Sequence, residues 1–150
     1  MKLGHLVIKV KDITTMVKFY KNVLGLQVTE KIENKMIFMS ASNDSSHELG
    51  LMSISKNANY PNKADTGLYH FAWQMDTFDS LKQLYSKLKK NKIPILGIGD
   101  HGISIGVYFN DPEKNEIEVY YELPKHKWPK TNIFNGKFPI NLEECINNEN

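Results

Sequence analysis

Residues 5–12, HLVIKVKD, and residues 69–76, YHFAWQMD, are the stretches that decide the fold. Both alternate large apolar side chains with polar or small ones, the period of a half-buried strand, and both end on an aspartate. After the first, Asp12 caps a helix that carries Met16, Phe19, Tyr20, Val23 and Leu24 on one stripe, and Gly25 ends it. After the second, Phe78, Leu81, Leu84, Tyr85 and Leu88 make the same kind of stripe. Three further extended runs follow each helix: residues 26–32, 35–41 and 48–55 in the first half, and 93–98, 103–110 and 116–122 in the second. The order strand, helix, strand, strand, strand therefore occurs twice, and the repeat lies in element order more than in residue identity.

The expected fold class is α+β: two βαβββ modules forming a cupped mixed sheet, with the helices outside. Residues 1–123 are expected to form one domain, with module one at 1–56 and module two at 67–123, joined by the polar linker from Lys56 to Thr66. Residues 124–150 read as a C-terminal arm, because Trp128, Phe134, Phe138 and Ile140 stand there among prolines. The arm should pack on the body or on a partner and end in a short helix and a frayed tail.

At 150 residues and 41% hydrophobic content, the chain can bury one sizeable core. Charge interrupts the opening MKLGHLVIKVKD too soon for a signal-peptide core or a membrane span, so the expectation is a soluble, cytoplasmic protein. Its one cysteine, Cys145, cannot form an internal disulfide or supply a thiolate cluster. Metal chemistry would rest on imidazole and carboxylate, which favours hard or borderline ions. Nineteen lysines, spread without a basic block and with no arginine, leave a net charge of +2 and argue against nucleic acid as a partner. Without arginine there is no planar fork for carboxylates or phosphates, so a strongly anionic substrate is disfavoured.

Strand parity sorts the polar groups. In the first strand Leu6, Ile8 and Val10 face the helix, leaving His5, Val7 and Lys9 on the other side. In the fifth, Tyr69, Phe71, Trp73 and Met75 face the helix and His70, Ala72 and Gln74 do not. In the last, Ile117, Val119 and Tyr121 face the helix, and Glu116, Glu118 and Tyr120 share the opposite side. His5, His70 and Glu118 are thus sent to one concave surface. Two imidazoles and a carboxylate make a three-ligand site that leaves positions open on a six-coordinate ion, an arrangement suited to catalysis. Taken singly, a histidine on a strand or a glutamate on a solvated face is an ordinary surface residue, so the joint pattern carries the argument.

Laid out this way, residues 3–123 resemble the vicinal oxygen chelate superfamily (glyoxalase, bleomycin resistance proteins and extradiol dioxygenases), and within it the catechol 2,3-dioxygenase type. The matching pieces are GHLVIKVKD followed by FYKNVLGL, then HELGLM, GLYHFAW, DHGIS and VYFNDPEKNEIEVY. The resemblance implies an Fe(II)-dependent extradiol dioxygenase of aromatic-compound catabolism, with Mn(II) as an alternative ion. Its metal ligands would be His5, His70 and Glu118, and its partners a small aromatic substrate and dioxygen. It further implies His47 as the proton relay, Tyr108 as a donor to a substrate oxygen, and His101 as a residue that orients or covers substrate.

Two departures bear on this. Lys114 stands where the family's Asp-Pro-x-Gly-Asn turn has glycine, so either it or Asn115 must take the left-handed position. Gly50 falls where glyoxalase I carries a carboxylate in its first module, which leaves three ligands instead of four. Two other expectations stay open: a metal-dependent lyase, isomerase or transferase of the glyoxalase type, and a non-catalytic small-molecule-binding relative. Exposed strand edges and an apolar arm make a homodimer the expected assembly.

Overall fold

The computed structural model describes residues 3–62, 64–134 and 136–142. The described chain runs β1 (Leu6–Val10), α1 (Ile13–Phe19), β2 (Gln27–Ile32), β3 (Met36–Ser40), β4 (Leu49–Ser53), β5 (Phe71–Met75), α2 (Phe78–Lys90), β6 (Ile95–Asp100), β7 (Ser104–Asn110) and β8 (Glu116–Glu122). The expected βαβββ order is therefore present twice. Each half closes its own four-stranded mixed sheet, ordered β1-β4-β3-β2 and β5-β8-β7-β6. The chain divides into two compact units, Met1–Gly67 with Asp111–Lys114, and Leu68–Asn110 with Asn115–Asn150.

In the first unit, β1 shows the predicted alternation, with Ile8 and Val10 buried and Val7 exposed. The Asp12 side chain accepts from the Thr15 amide at 3.0 Å, so one otherwise unpaired N–H at the start of α1 is satisfied. This hydrogen bond, reinforced by the Thr15 hydroxyl, holds the Asp12 carboxyl below its ordinary value. The helix continues from Tyr20 to Leu24 as a π-helical turn, and Gly25 ends it at φ 78°. Met16, Tyr20 and Val23 from this stretch are buried together with Leu49 and Leu51 of β4. Tyr20 donates to Asp111 Oδ2 at 2.8 Å with both residues buried, and burial followed by the Asp111 charge raises the phenol well above its ordinary value. The Glu113 carboxylate accepts from the amides of Lys11 and Asp12 at 2.8 and 2.7 Å. Lys114 itself takes the left-handed conformation at φ 69°, which decides between the two positions open in the sequence.

In the second unit, Thr77 caps α2 by accepting from the Ser80 amide at 3.1 Å. Asp79 in the first turn and Lys87, Lys89 and Lys90 in the last complement the helix dipole. Leu81, Leu84 and Leu88 are buried with Ile117 and Val119, and α2 packs on β8 and β5. β6 carries a bulge between Ile95 and Gly97, as β2 does between Val28 and Glu30, so the repeat extends to this irregularity. The arm packs on its own unit. Trp128 Nε1 donates to the Leu123 carbonyl at 2.6 Å, and the amides of Asp100 and Ile140 donate to the carbonyls of Lys137 and Ile98, each at 2.9 Å. The short helix and tail expected at the end of the arm, with Cys145, lie outside the described residues.

Two expectations shift. β1 starts at Leu6, opposite Leu49 where β4 opens, and β5 starts at Phe71, opposite Ile117 of β8. His5 and His70 thus stand one residue ahead of their strands. Tyr69, expected against the helix, precedes β5 by two residues and is 78% exposed. No helix among the described residues is long and apolar enough to cross a membrane.

Candidate functional site

The two sheets share one pairing scheme, so positions can be equated without reference to side chains. Val7, two residues after His5, pairs in parallel with Gly50; Ala72, two residues after His70, pairs in parallel with Glu118. On the far side Gly50 pairs with Phe38 and Glu118 with Tyr108. His5 is therefore equivalent to His70, Gly50 to Glu118, and Phe38 to Tyr108. Gly50 thus holds in the first sheet the place that Glu118 holds in the second.

In the second unit the side chains converge. His70 Nε2 lies 3.2 Å from Glu118 Oε2. Tyr108, directly across the strand pair, donates its hydroxyl to Glu118 Oε1 at 2.8 Å. His101 Nε2 is 2.7 Å from the same phenol oxygen. Because the single phenolic proton goes to Glu118, His101 must carry its hydrogen on Nε2 and donate to Tyr108. Burial, then the hydrogen bond and charge of Glu118, push the Tyr108 phenol far above its ordinary value, so it stays a neutral donor. Glu118 is one of few buried charged residues among those described, at 9% exposure. These groups line a cavity of about 410 Å³ together with Ile103 and Phe134.

In the first unit the His5 and His47 rings lie 4.6 Å apart, and His47 also meets Phe38 at 4.8 Å. The Ser46 hydroxyl is 3.1 Å from His47 Nδ1. Thus His70, His101, Tyr108 and Glu118 are gathered in one unit, and His5 with His47 in the other.

The donor set of the second unit fits a divalent cation. Two ligands held at about 2.1 Å and at right angles are about 3 Å apart, close to the separation of His70 Nε2 and Glu118 Oε2. His70 Nδ1 is buried without a hydrogen-bond partner, so the ring is placed by packing and its polar contact is made through Nε2. Among the described residues, no three His, Cys, Asp or Glu side chains are grouped closely enough to hold an ion by themselves.

Sequence reasoning missed the floor of this site. Gly97 and Gly99 on β6 and Gly106 on β7 lie on the face of Tyr108 and Glu118. A Cβ on Gly106 would run into Glu118 Oε1, and one on Gly97 would run into the Phe138 ring. Glycines at 97, 99 and 106 within two consecutive strands were the available signal.

A family model described as "Glyoxalase/Bleomycin resistance protein/Dioxygenase superfamily" matches residues 2–119. The chain is 30% identical over 129 residues, 85% of its length, to a catechol-2,3-dioxygenase of Bacillus subtilis, and spans 44% of that protein. It is 32% identical over 113 residues, 67% of its length, to the mitochondrial methylmalonyl-CoA epimerase of Homo sapiens, and spans 62% of it. Among solved structures, a glyoxalase/dioxygenase from Nostoc punctiforme superposes with a TM-score of 0.67 at 24% identity, covering 82% of this chain and 92% of its own.

Proposed function

We propose that this chain, which belongs to the glyoxalase/bleomycin resistance protein/dioxygenase superfamily, opens the ring of a catechol-type substrate beside its hydroxyls as an Fe(II)-dependent extradiol dioxygenase. The observation that carries the reading is the pairing of His70 Nε2 with the buried Glu118 carboxylate at 3.2 Å, with glycine at the equivalent carboxylate position of the first sheet. His70 and Glu118 are two of the proposed ligands, and His5 is the third by its place in the repeat. Three ligands leave room on a six-coordinate ion for both substrate and oxygen. The 30% identity to a catechol-2,3-dioxygenase supports the same assignment.

The chemistry supplied by bound Fe(II) is chelation of two adjacent ring oxygens and activation of dioxygen beside them. The protein's own groups hold and move protons. Tyr108, kept neutral by burial and by Glu118, turns its O–H from Glu118 Oε1 to a substrate oxygen that gains negative charge. His101 donates to Tyr108 and holds the phenol oxygen in place through that turn. His47 receives the proton lost by a substrate hydroxyl and returns it as the ring opens, a task suited to an imidazole. In the balanced reaction one ring C–C bond breaks and both oxygen atoms enter the product.

A second reading keeps the metal and dispenses with oxygen: an isomerase, lyase or transferase that polarises a chelated substrate. The 32% identity to an epimerase favours it. Anaerobic loading with Fe(II), followed by air and a panel of catechols, separates the two. A yellow ring-opened product supports cleavage; one bound iron per chain with no product from any catechol supports the second reading. His70→Ala and Glu118→Ala should each abolish metal retention.

A further inference from the structure

The chain beyond residue 119 lies outside the family match, yet it supplies Phe134 to the wall of the cavity. Phe134 is 74% exposed, so burial in a core does not account for it. The segment behind it is fastened along the outer edge of β6 by the two backbone hydrogen bonds at Asp100 and Ile140. Between these bonds the Phe138 ring lies over two glycines: a Cβ on Gly97 would collide with it, and one on Gly99 would come within 3.0 Å of it. The same ring stands edge-on to Tyr108, centroids 6.0 Å apart. Two glycines in one strand weaken that strand. What they gain here is the seat of an aromatic ring that itself remains 62% exposed. That is little burial for a purely structural anchor, but it brings an aromatic edge up to the proposed catalytic tyrosine.

We propose that the arm is the specificity-determining wall of the site. Phe134 contacts the apolar part of a ligand whose oxygens lie at His70 and Glu118, and Phe138, seated on Gly97 and Gly99, positions that wall. The size of the space bounds the ligand. An enclosed dry cavity of about 150 Å³ holds benzene; this cleft is open to solvent and measures about 410 Å³. It has room for a ring together with a substituent, and Phe134 is the side chain that would sense an apolar one. The location of the ligand oxygens rests on the proposed function; the role of the arm does not need the metal.

The test therefore uses the metal-free full-length chain, titrated with phenol and with 4-tert-butylphenol and followed by backbone amide shifts. Wild type should bind the butylated compound about tenfold more tightly, about 1.4 kcal/mol, with shifts at Phe134 and Phe138. In Phe134→Ala the ratio should fall to about twofold or less. Because Phe134 is exposed, this variant keeps its fold. Gly97→Ala, which displaces Phe138 without lining the cavity, should lower the ratio in the same direction, as a merely structural arm would not. An unchanged ratio in Phe134→Ala, no discrimination by wild type, or shifts confined to other residues would overturn the proposal. Failure of the Fe(II)-loaded protein to open any catechol overturns the ring-cleavage reading instead and leaves this result standing.

Discussion

Gly106→Ala should weaken divalent metal binding by roughly 10- to 100-fold and lower the stability of the fold modestly. A methyl group on Gly106 would collide with Glu118 Oε1 and lie 3.3 Å from its Cγ and Cδ, so the carboxylate must swing aside. That oxygen accepts the Tyr108 hydroxyl at 2.8 Å, and the other faces His70 Nε2 at 3.2 Å. A hydrogen bond to a charged group contributes about 1.5–3 kcal/mol, which converts to roughly 10- to 100-fold in an equilibrium constant. The strand itself should gain slightly, since alanine is better than glycine there by about 0.5–1 kcal/mol. That gain offsets only part of the lost hydrogen bond, so Tm should fall modestly along with affinity. Mn(II) binding, measured by competition with a fluorescent chelator, gives the affinity without air oxidation. Tyr108→Phe removes the same hydrogen bond by another route, so the double variant should be little worse than either single one. Mn(II) affinity within twofold of wild type for Gly106→Ala, or additive effects of the two substitutions, would refute the reasoning that Gly106 places the carboxylate.

Three more outcomes follow from other parts of the chain. Tyr20→Phe removes a hydrogen bond to the buried Asp111 carboxylate and should cost about 2 kcal/mol, seen as a Tm lower by roughly 4–8 °C. Because the folded Tyr20 phenol is raised, its contribution is full below the ordinary tyrosine value of about 10 and is lost as pH rises through the folded value; the deficit of the variant should shrink only in alkali. Thr77→Ala removes the α2 cap and should cost about 1 kcal/mol by chemical denaturation. Gly50→Glu puts a carboxylate at the position equivalent to Glu118, with Val7 Cγ2 3.0 Å from the new Cβ and obliged to yield. Mn(II) affinity should hold or rise while catechol turnover disappears, and persisting turnover would show that this position is not left open for reactants.

The fold was legible because its signal is carried by both modules. The parity that put Leu6, Ile8 and Val10 on one face of β1 recurs in Ile117 and Val119 of β8, and each helix stripe starts right after a capping side chain. The same parity placed His70 and Glu118 on one face. It failed at Tyr69, since alternation holds only where a partner strand exists and β8 begins at Glu116. Lys114 could not be told from Asn115 as the left-handed residue, because both carry a side chain and the choice falls to how Glu113 is drawn onto the amides of Lys11 and Asp12. The arm was legible as an arm and no further. Whether Phe134 and Phe138 face a core, a partner or a cavity depends on long-range pairing with β6, which no local period encodes.

The sharpest constraint on function comes from comparing the two sheets with each other. Their strand order, pairing sense and even the bulged strand coincide, so the backbone offers two equivalent places for a histidine and two for a carboxylate. Both histidine places are filled, by His5 and His70, but only one carboxylate place is, by Glu118. The odd place holds Gly50, with Phe38 beside it where the other sheet has Tyr108. A duplicated scaffold that kept all four polar residues would saturate more of an ion's coordination and leave less for reactants. With glycine and phenylalanine at these places the two halves are chemically unequal: one carries a histidine, a carboxylate and a phenol, the other two imidazoles and a phenylalanine. On the proposed ring-cleavage reading, the missing carboxylate leaves coordination positions for reactants, which is what Gly50→Glu tests.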